Sequence, residues 1–190
     1  MKKNILFLFF SLFTVFFFTS CQKKTEQSQT QNAASAQSNI SMIASVEKVE
    51  GNKAPNFSWT DENGKKITLA EYTKGQAAMI NFWATWCPPC KRELPDIVAL
   101  SEEYKTKGAK VIGISTDKDA DVMNLVSSFA KEHHLTYPII IDNDQLADAF
   151  GGIRGIPTTF FVNGNGEIVK KLVGLQSKET FAQELEAAMK

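Results

Sequence analysis

Two cysteines three positions apart, Cys87 and Cys90, stand where an apolar run gives way to a helical pattern. That junction constrains the fold more than any other feature of the chain. The run Ala77-Ala78-Met79-Ile80-Asn81-Phe82-Trp83 reads as a buried strand, and Lys91 to Leu100 recovers apolar positions at helical spacing. A CxxC pair at a strand-to-helix turn is the setting of a redox-active dithiol, with a static disulfide or half of a zinc site as alternatives. Zinc wants four ligands, and the remaining cysteine is Cys21, while His133 and His134 are remote from the motif. A c-type haem wants histidine directly after the second cysteine, where Lys91 stands. The reading is therefore redox exchange through Cys87 and Cys90, with no metal and no cofactor.

A thiol attacks a disulfide only as its thiolate, so a catalytic cysteine needs something that stabilises negative charge. Cys87 falls at the expected N-cap, where unpaired amides and the helix dipole favour an anion, and Cys90 lies one turn further in. Cys87 is accordingly the attacking thiol and Cys90 the resolving one. Pro88 and Pro89 suit a first helical turn, and they also remove two N–H donors. The Cys87 thiolate is left mainly with the Cys90 amide and the dipole, which predicts a more reducing couple than donor residues between the cysteines would give.

Met1-Lys2-Lys3 followed by Ile5 to Phe18 is a charged start and an apolar stretch holding seven of the fourteen phenylalanines, short for a membrane span. Thr19-Ser20-Cys21 follows. The arrangement resembles a bacterial lipoprotein signal, with residues 1–20 removed and Cys21 carrying lipid; a plain secretory signal or an uncleaved anchor are the other readings. Each of them exports the domain, to a periplasm-facing, lipid-anchored position in the cell envelope on the first. Residues 21–50 are rich in Gln, Ser, Ala, Thr and Asn and read as a flexible tether, spanning roughly 25 to 30 Å. Within it Ile40, Met42, Ile43, Val46 and Val49 suit a short helix or a docking strand.

Residues 51–190 suffice for one domain. Without Lys2 and Lys3 the chain carries 19 basic against 21 acidic side chains, a balance that offers nucleic acid nothing. Asn56 to Thr60 and Lys66 to Leu69 flank an Asp-Glu-Asn-Gly turn, a hairpin. The strand at 77–83 leads through the motif into a helix to about Lys107, with a kink expected near Pro95. Ala109 to Ser115 is a second buried strand, and Ala120 to His133 a helix with Val122, Leu125, Val126 and Phe129 on one side. Pro138 to Ile141 and Asp144 to Phe150 add a strand and a helix. Alternation of this kind implies a parallel core. Thr158 to Val162 and Glu167 to Val173 then surround Asn163-Gly164-Asn165-Gly166, an antiparallel hairpin, before an amphipathic helix from Lys178 to Met189.

Phe82-Trp83-Ala84-Thr85-Trp86-Cys87-Pro88-Pro89-Cys90 together with Gly155-Ile156-Pro157-Thr158-Thr159-Phe160 resembles the thioredoxin superfamily. Glu93, the N-terminal hairpin, and the extra strand and helix before Gly155 make the chain similar to its membrane-tethered TlpA/ResA-like group, from about Ala54 to the C-terminus. The resemblance implies an α/β thioredoxin-like fold, a central mixed sheet flanked by helices. It also implies a cis Ile156–Pro157 bond whose loop meets the disulfide and pairs with an extended substrate, and periplasmic reduction of protein disulfides, often of apocytochrome c, with recharging by another protein, a membrane electron donor.

Thioredoxin carries a buried aspartate at the position of Asn81, where it moves a proton off the resolving cysteine, and asparagine cannot titrate. The resemblance to the ResA-like group implies that Glu93 takes that role instead; a solvated first-turn carboxylate is the alternative for it. Trp86 reads as rim beside the thiols and Trp83 as core. Arg154 reads as a surface residue, and His133 and His134 suit a helix C-terminus. Two rival functions stand beside exchange. A peroxiredoxin-like peroxidase wants threonine or serine and proline where Ala84 and Ile80 stand, and a copper or haem-protein assembly factor would use the dithiol only to hold metal.

Overall fold

The structure is a computed structural model that describes residues 39–190. The signal segment, Cys21 and the first part of the tether lie outside the described residues.

The seven-residue strand β5 (Ala77–Trp83) is buried at every position and forms the spine. Its apolar run lacks alternation because both faces are covered, as in a parallel core. β6 (Ala109–Ser115) and β7 (Ile139–Ile141) lie parallel on one side, and β8 (Thr158–Val162) and β9 (Ile168–Val173) add antiparallel strands on the other. With β1 (Ile40–Met42) the order is β1-β7-β6-β5-β8-β9. A second sheet, β2 (Ser45–Glu47), β3 (Asn56–Thr60) and β4 (Lys66–Thr68), is antiparallel.

The period of two along β5 divides the core. Met79 and Trp83 pack with Leu94, Ile97 and Leu100 of helix α2 (Pro88–Lys105), Val126 of α3 (Val122–Glu132), and Phe181 and Leu185 of α5 (Lys178–Ala188). Ala78, Ile80 and Phe82 face the other way, onto Phe57, Trp59, Phe150 and Phe160. α1 (Leu69–Thr73) and α4 (Gln145–Ala149) complete that layer. Asn81 therefore lies on the α2 face, which decides what it meets. This mixed sheet between helices is the expected thioredoxin-like architecture.

Three expectations are corrected. The tether does not extend to residue 50, because 40–42 and 45–47 are strands; of the two forms open to this stretch, the docking strand is the one found. Ile40 and Ile43 are buried, Ile43 N–H donates to the Ile141 carbonyl at 3.0 Å, and the Asn39 amide donates to the carbonyls of Leu135 and Tyr137. β7 would otherwise present an unpaired edge, and β1 satisfies it. Leu69 does not extend a strand but starts α1, because Thr68 and Glu71 form a capping box. Leu125 of α3 is exposed, and Ala130 joins Val126 in the core instead. α2 continues through Pro95, which is exposed, so the carbonyl it leaves unpaired one turn back is on the solvent side.

Candidate active site

Cys87 is the N-cap of α2, with extended backbone (φ −89°, ψ 105°), and Pro88 and Pro89 occupy the first two helical positions. The residue before a proline is pushed to this geometry, so the local sequence itself places the sulfur over the helix end. Cys87 and Cys90 are joined in a disulfide, with Cα atoms 5.3 Å apart. The Cys90 N–H donates to Cys87 Sγ at 3.2 Å, where a thiolate would stand in the reduced protein. Cys90 is fully buried, and Cys87 keeps 3 % of its surface.

The Ile156–Pro157 bond is cis, and the Ile156 carbonyl oxygen lies 3.8 Å from Cys87 Sγ. The Gly174 N–H donates to the Pro157 carbonyl at 2.8 Å and the Thr158 hydroxyl to that of Gly155 at 2.7 Å, which hold the loop between α4 and β8. Trp86 is 66 % exposed beside the disulfide, whereas Trp83 is wholly buried against Phe129. Arg154 is exposed, and His133 caps the C-terminal end of α3 with its ring on Phe129. The structure thus brings Trp86, Cys87, Cys90, Ile156 and Pro157 to one end of the sheet.

Glu93 is not a solvated first-turn carboxylate: it is 1 % exposed. Asn81 reaches it from β5, its Nδ2 donating at 2.9 Å to Glu93 Oε1 and at 2.9 Å to the Thr159 hydroxyl oxygen. The Gln176 N–H donates to Glu93 Oε2 at 3.4 Å. Burial pushes the Glu93 carboxyl up to about 7, against the two hydrogen bonds, and Asp96 adds to the rise. A carboxyl buried one helical turn past Cys90 and titrating near neutrality can take up and return a proton at physiological pH. Burial first, then the Glu93 charge, also holds the Tyr137 hydroxyl well above its ordinary range.

Sequence reasoning missed Thr159, Gln176, and the pair Thr85–Asp117, whose hydrogen bonds hold the turn ahead of Cys87. Thr159 carried a faint signal, since it sits two residues after Pro157 and opposite Asn81 in register. Gln176 acts through its backbone and carried none.

A model of the AhpC/TSA family matches residues 50–171. The thiol-disulfide oxidoreductase ResA of Bacillus thuringiensis (strain Al Hakam) is 38% identical over 138 residues, 72% of this chain and 78% of that protein. That of Bacillus subtilis (strain 168) is 35% identical over 130 residues, 68% and 70% of the two chains. Among solved structures, a thioredoxin-family thiol:disulfide interchange protein from Chlorobium tepidum TLS superposes with a TM-score of 0.65 at 32% identity, over 74% of this chain and 97% of that one. StoA from Bacillus subtilis superposes with a TM-score of 0.60 at 29% identity, over 70% and 98%.

Proposed function

The chain belongs to the AhpC/TSA family and, with its ResA relatives, is a thiol–disulfide oxidoreductase, and on that premise we propose that it reduces protein disulfides outside the cytoplasm with Cys87 as the attacking thiol. The observation that carries the reading is the stacking of three features at one end of the sheet: a sulfur on a helix N-terminus, the Ile156–Pro157 loop 3.8 Å away, and a buried carboxyl that titrates near neutrality.

In the reduced protein the Cys87 thiolate attacks one sulfur of a substrate disulfide. The S–S bond breaks, a mixed disulfide forms, and the other substrate sulfur leaves as thiolate. Glu93 takes the proton from Cys90, whose thiolate attacks Cys87 Sγ and releases the second substrate sulfur. Two electrons have passed to the substrate and Cys87–Cys90 is a disulfide, which a dithiol donor must reduce. Trp86 and Ile156 offer an apolar rim to an extended segment of the substrate protein, apocytochrome c being the substrate class proposed. With two prolines between the cysteines, the thiolate has one close amide donor, that of Cys90, which supports a reductant over a strong oxidant. The lipid-bearing Cys21 and removal of residues 1–20 complete the reading, and place the domain at a membrane surface on the exported side.

Substituting Cys90→Ser tests the core of it. Expressed in the envelope, that variant should retain proteins disulfide-linked to Cys87, CxxC-bearing apocytochromes among them, and Cys87→Ser should retain none. A Cys90→Ser variant without covalent partners, alongside a parent that binds Cu(I) tightly or consumes hydroperoxide, would overturn it. Incorporation of labelled palmitate, abolished by Cys21→Ala, checks the anchor.

A further inference from the structure

The turn that carries Cys87 is clamped from the neighbouring strand. Asp117, just beyond β6 and 2 % exposed, accepts four hydrogen bonds. The Thr85 N–H donates to both carboxylate oxygens, at 3.2 Å to Oδ1 and 3.1 Å to Oδ2, and the Thr85 hydroxyl donates to Oδ1 at 2.7 Å. The Ser115 hydroxyl donates to Oδ2 at 2.8 Å. Thr116 stitches the same two loops through its N–H, 2.9 Å from the Trp83 carbonyl. Among the described residues no Lys, Arg or His nitrogen lies within 4.0 Å of the Asp117 carboxylate.

A carboxylate buried with no cation beside it is costly, and a position that only needed a polar plug would do with a neutral side chain. What the charge adds is strength, seen in the short hydroxyl bonds from Thr85 and Ser115 at 2.7 and 2.8 Å. Three of the four come from Thr85, two residues ahead of Cys87 on a segment with no other regular structure. We propose that Asp117 is a positioning residue for the redox pair: by holding Thr85 it sets the height of Cys87 over the α2 N-terminus and its approach to the Ile156 carbonyl. The inference rests on Cys87 being the attacking thiol.

Loosening this clamp lets Cys87 drift from the Cys90 amide, so the thiolate loses support and the reduced form is disfavoured. Simple removal of a nearby negative charge would act the other way, since it favours the thiolate. The sign therefore separates positioning from through-space electrostatics. In the full chain, the rate at which iodoacetamide labels reduced Cys87 at pH 7, resolved by peptide mass spectrometry, and the equilibrium with glutathione are measured for Asp117→Asn, Asp117→Ala, Thr85→Val and Thr85→Ser. Asp117→Ala should slow labelling about tenfold or more and shift the glutathione equilibrium toward the disulfide. Asp117→Asn and Thr85→Val should fall between it and the parent, and Thr85→Ser, which keeps the hydroxyl, should match the parent. A folded Asp117→Asn or Thr85→Val that labels at the parent rate or faster overturns the inference, and these two milder variants decide it if Asp117→Ala does not fold. Labelling of Cys90 before Cys87 in the parent would instead overturn the assignment of the attacking thiol, before any variant is compared.

Discussion

Glu93→Gln should stabilise the protein at high pH while slowing its chemistry. Burial lifts the Glu93 carboxyl from 4.5 to about 7, so between those values the folded state binds a proton more tightly than the unfolded chain. Stability of the parent therefore falls as pH rises from about 4.5 to about 7, and is level above. At about 1.4 kcal/mol per pH unit, the ionised side chain costs the fold about 3 kcal/mol. Glutamine copies the neutral acid and keeps an oxygen for the Asn81 amide, but its own amide meets the Gln176 N–H donor to donor, a loss of about 1 kcal/mol. The variant should be less stable than the parent by about 1 kcal/mol at pH 4 and more stable by about 2 kcal/mol at pH 8, with the crossing between. Urea unfolding of the two oxidised proteins at half-unit intervals of pH measures this. A stability difference constant from pH 4 to 8 would refute the reasoning, since it would mean that the carboxyl titrates alike folded and unfolded. The same substitution removes the acceptor proposed for the Cys90 proton, so release of the mixed disulfide at pH 7 should slow about a hundredfold. Gain of stability with loss of rate is the opposite of what a packing defect produces.

Gly113 faces Asn81 across the sheet, and a Cβ there would meet Trp83 Nε1 at 2.9 Å and Tyr137 Cε2 at 3.0 Å. Gly113→Ala should cost about 1–3 kcal/mol, read as a lower urea midpoint, and an unchanged midpoint would show that the rings yield freely. A chain beginning at Gly51 loses buried Ile40 and Ile43 and uncovers the β7 edge, so it should be less stable than one beginning at Asn39 by about 3 kcal/mol or more, and equal midpoints would restore the longer tether. Trp86→Ala removes an exposed ring; it should lower kcat/KM for protein disulfides severalfold while leaving the melting temperature and the reaction with a small disulfide unchanged, and a lower melting temperature would place the ring in the fold instead.

Much of this architecture was legible because its causes are local. An unbroken apolar run, a CxxC, two prolines and then helical spacing place a strand, a turn and a capped helix within a few residues of one another, and the two hairpins were marked by their Asn-Gly turns. Composition misled at residues 39–50, where polar neighbours hid a strand whose worth lies in covering an edge nearly a hundred residues away. The capping box at Thr68 was present in the letters but outweighed by the strand pattern before it.

For the site, the sequence by itself determined the dithiol and its order along the helix, a short motif with its own chemistry, and the resemblance to the thioredoxin superfamily implied the proline loop that would face it. Only the tertiary structure decided what Glu93 is. The letters could not say whether a glutamate in the first turns of a helix meets water or the sheet; packing of α2 on β5 buries it against Asn81, and desolvation makes a near-neutral acid of it. Asp117 is the same case: its hydrogen bond to Thr85 spans 32 positions and follows from strand register, which no local spacing encodes.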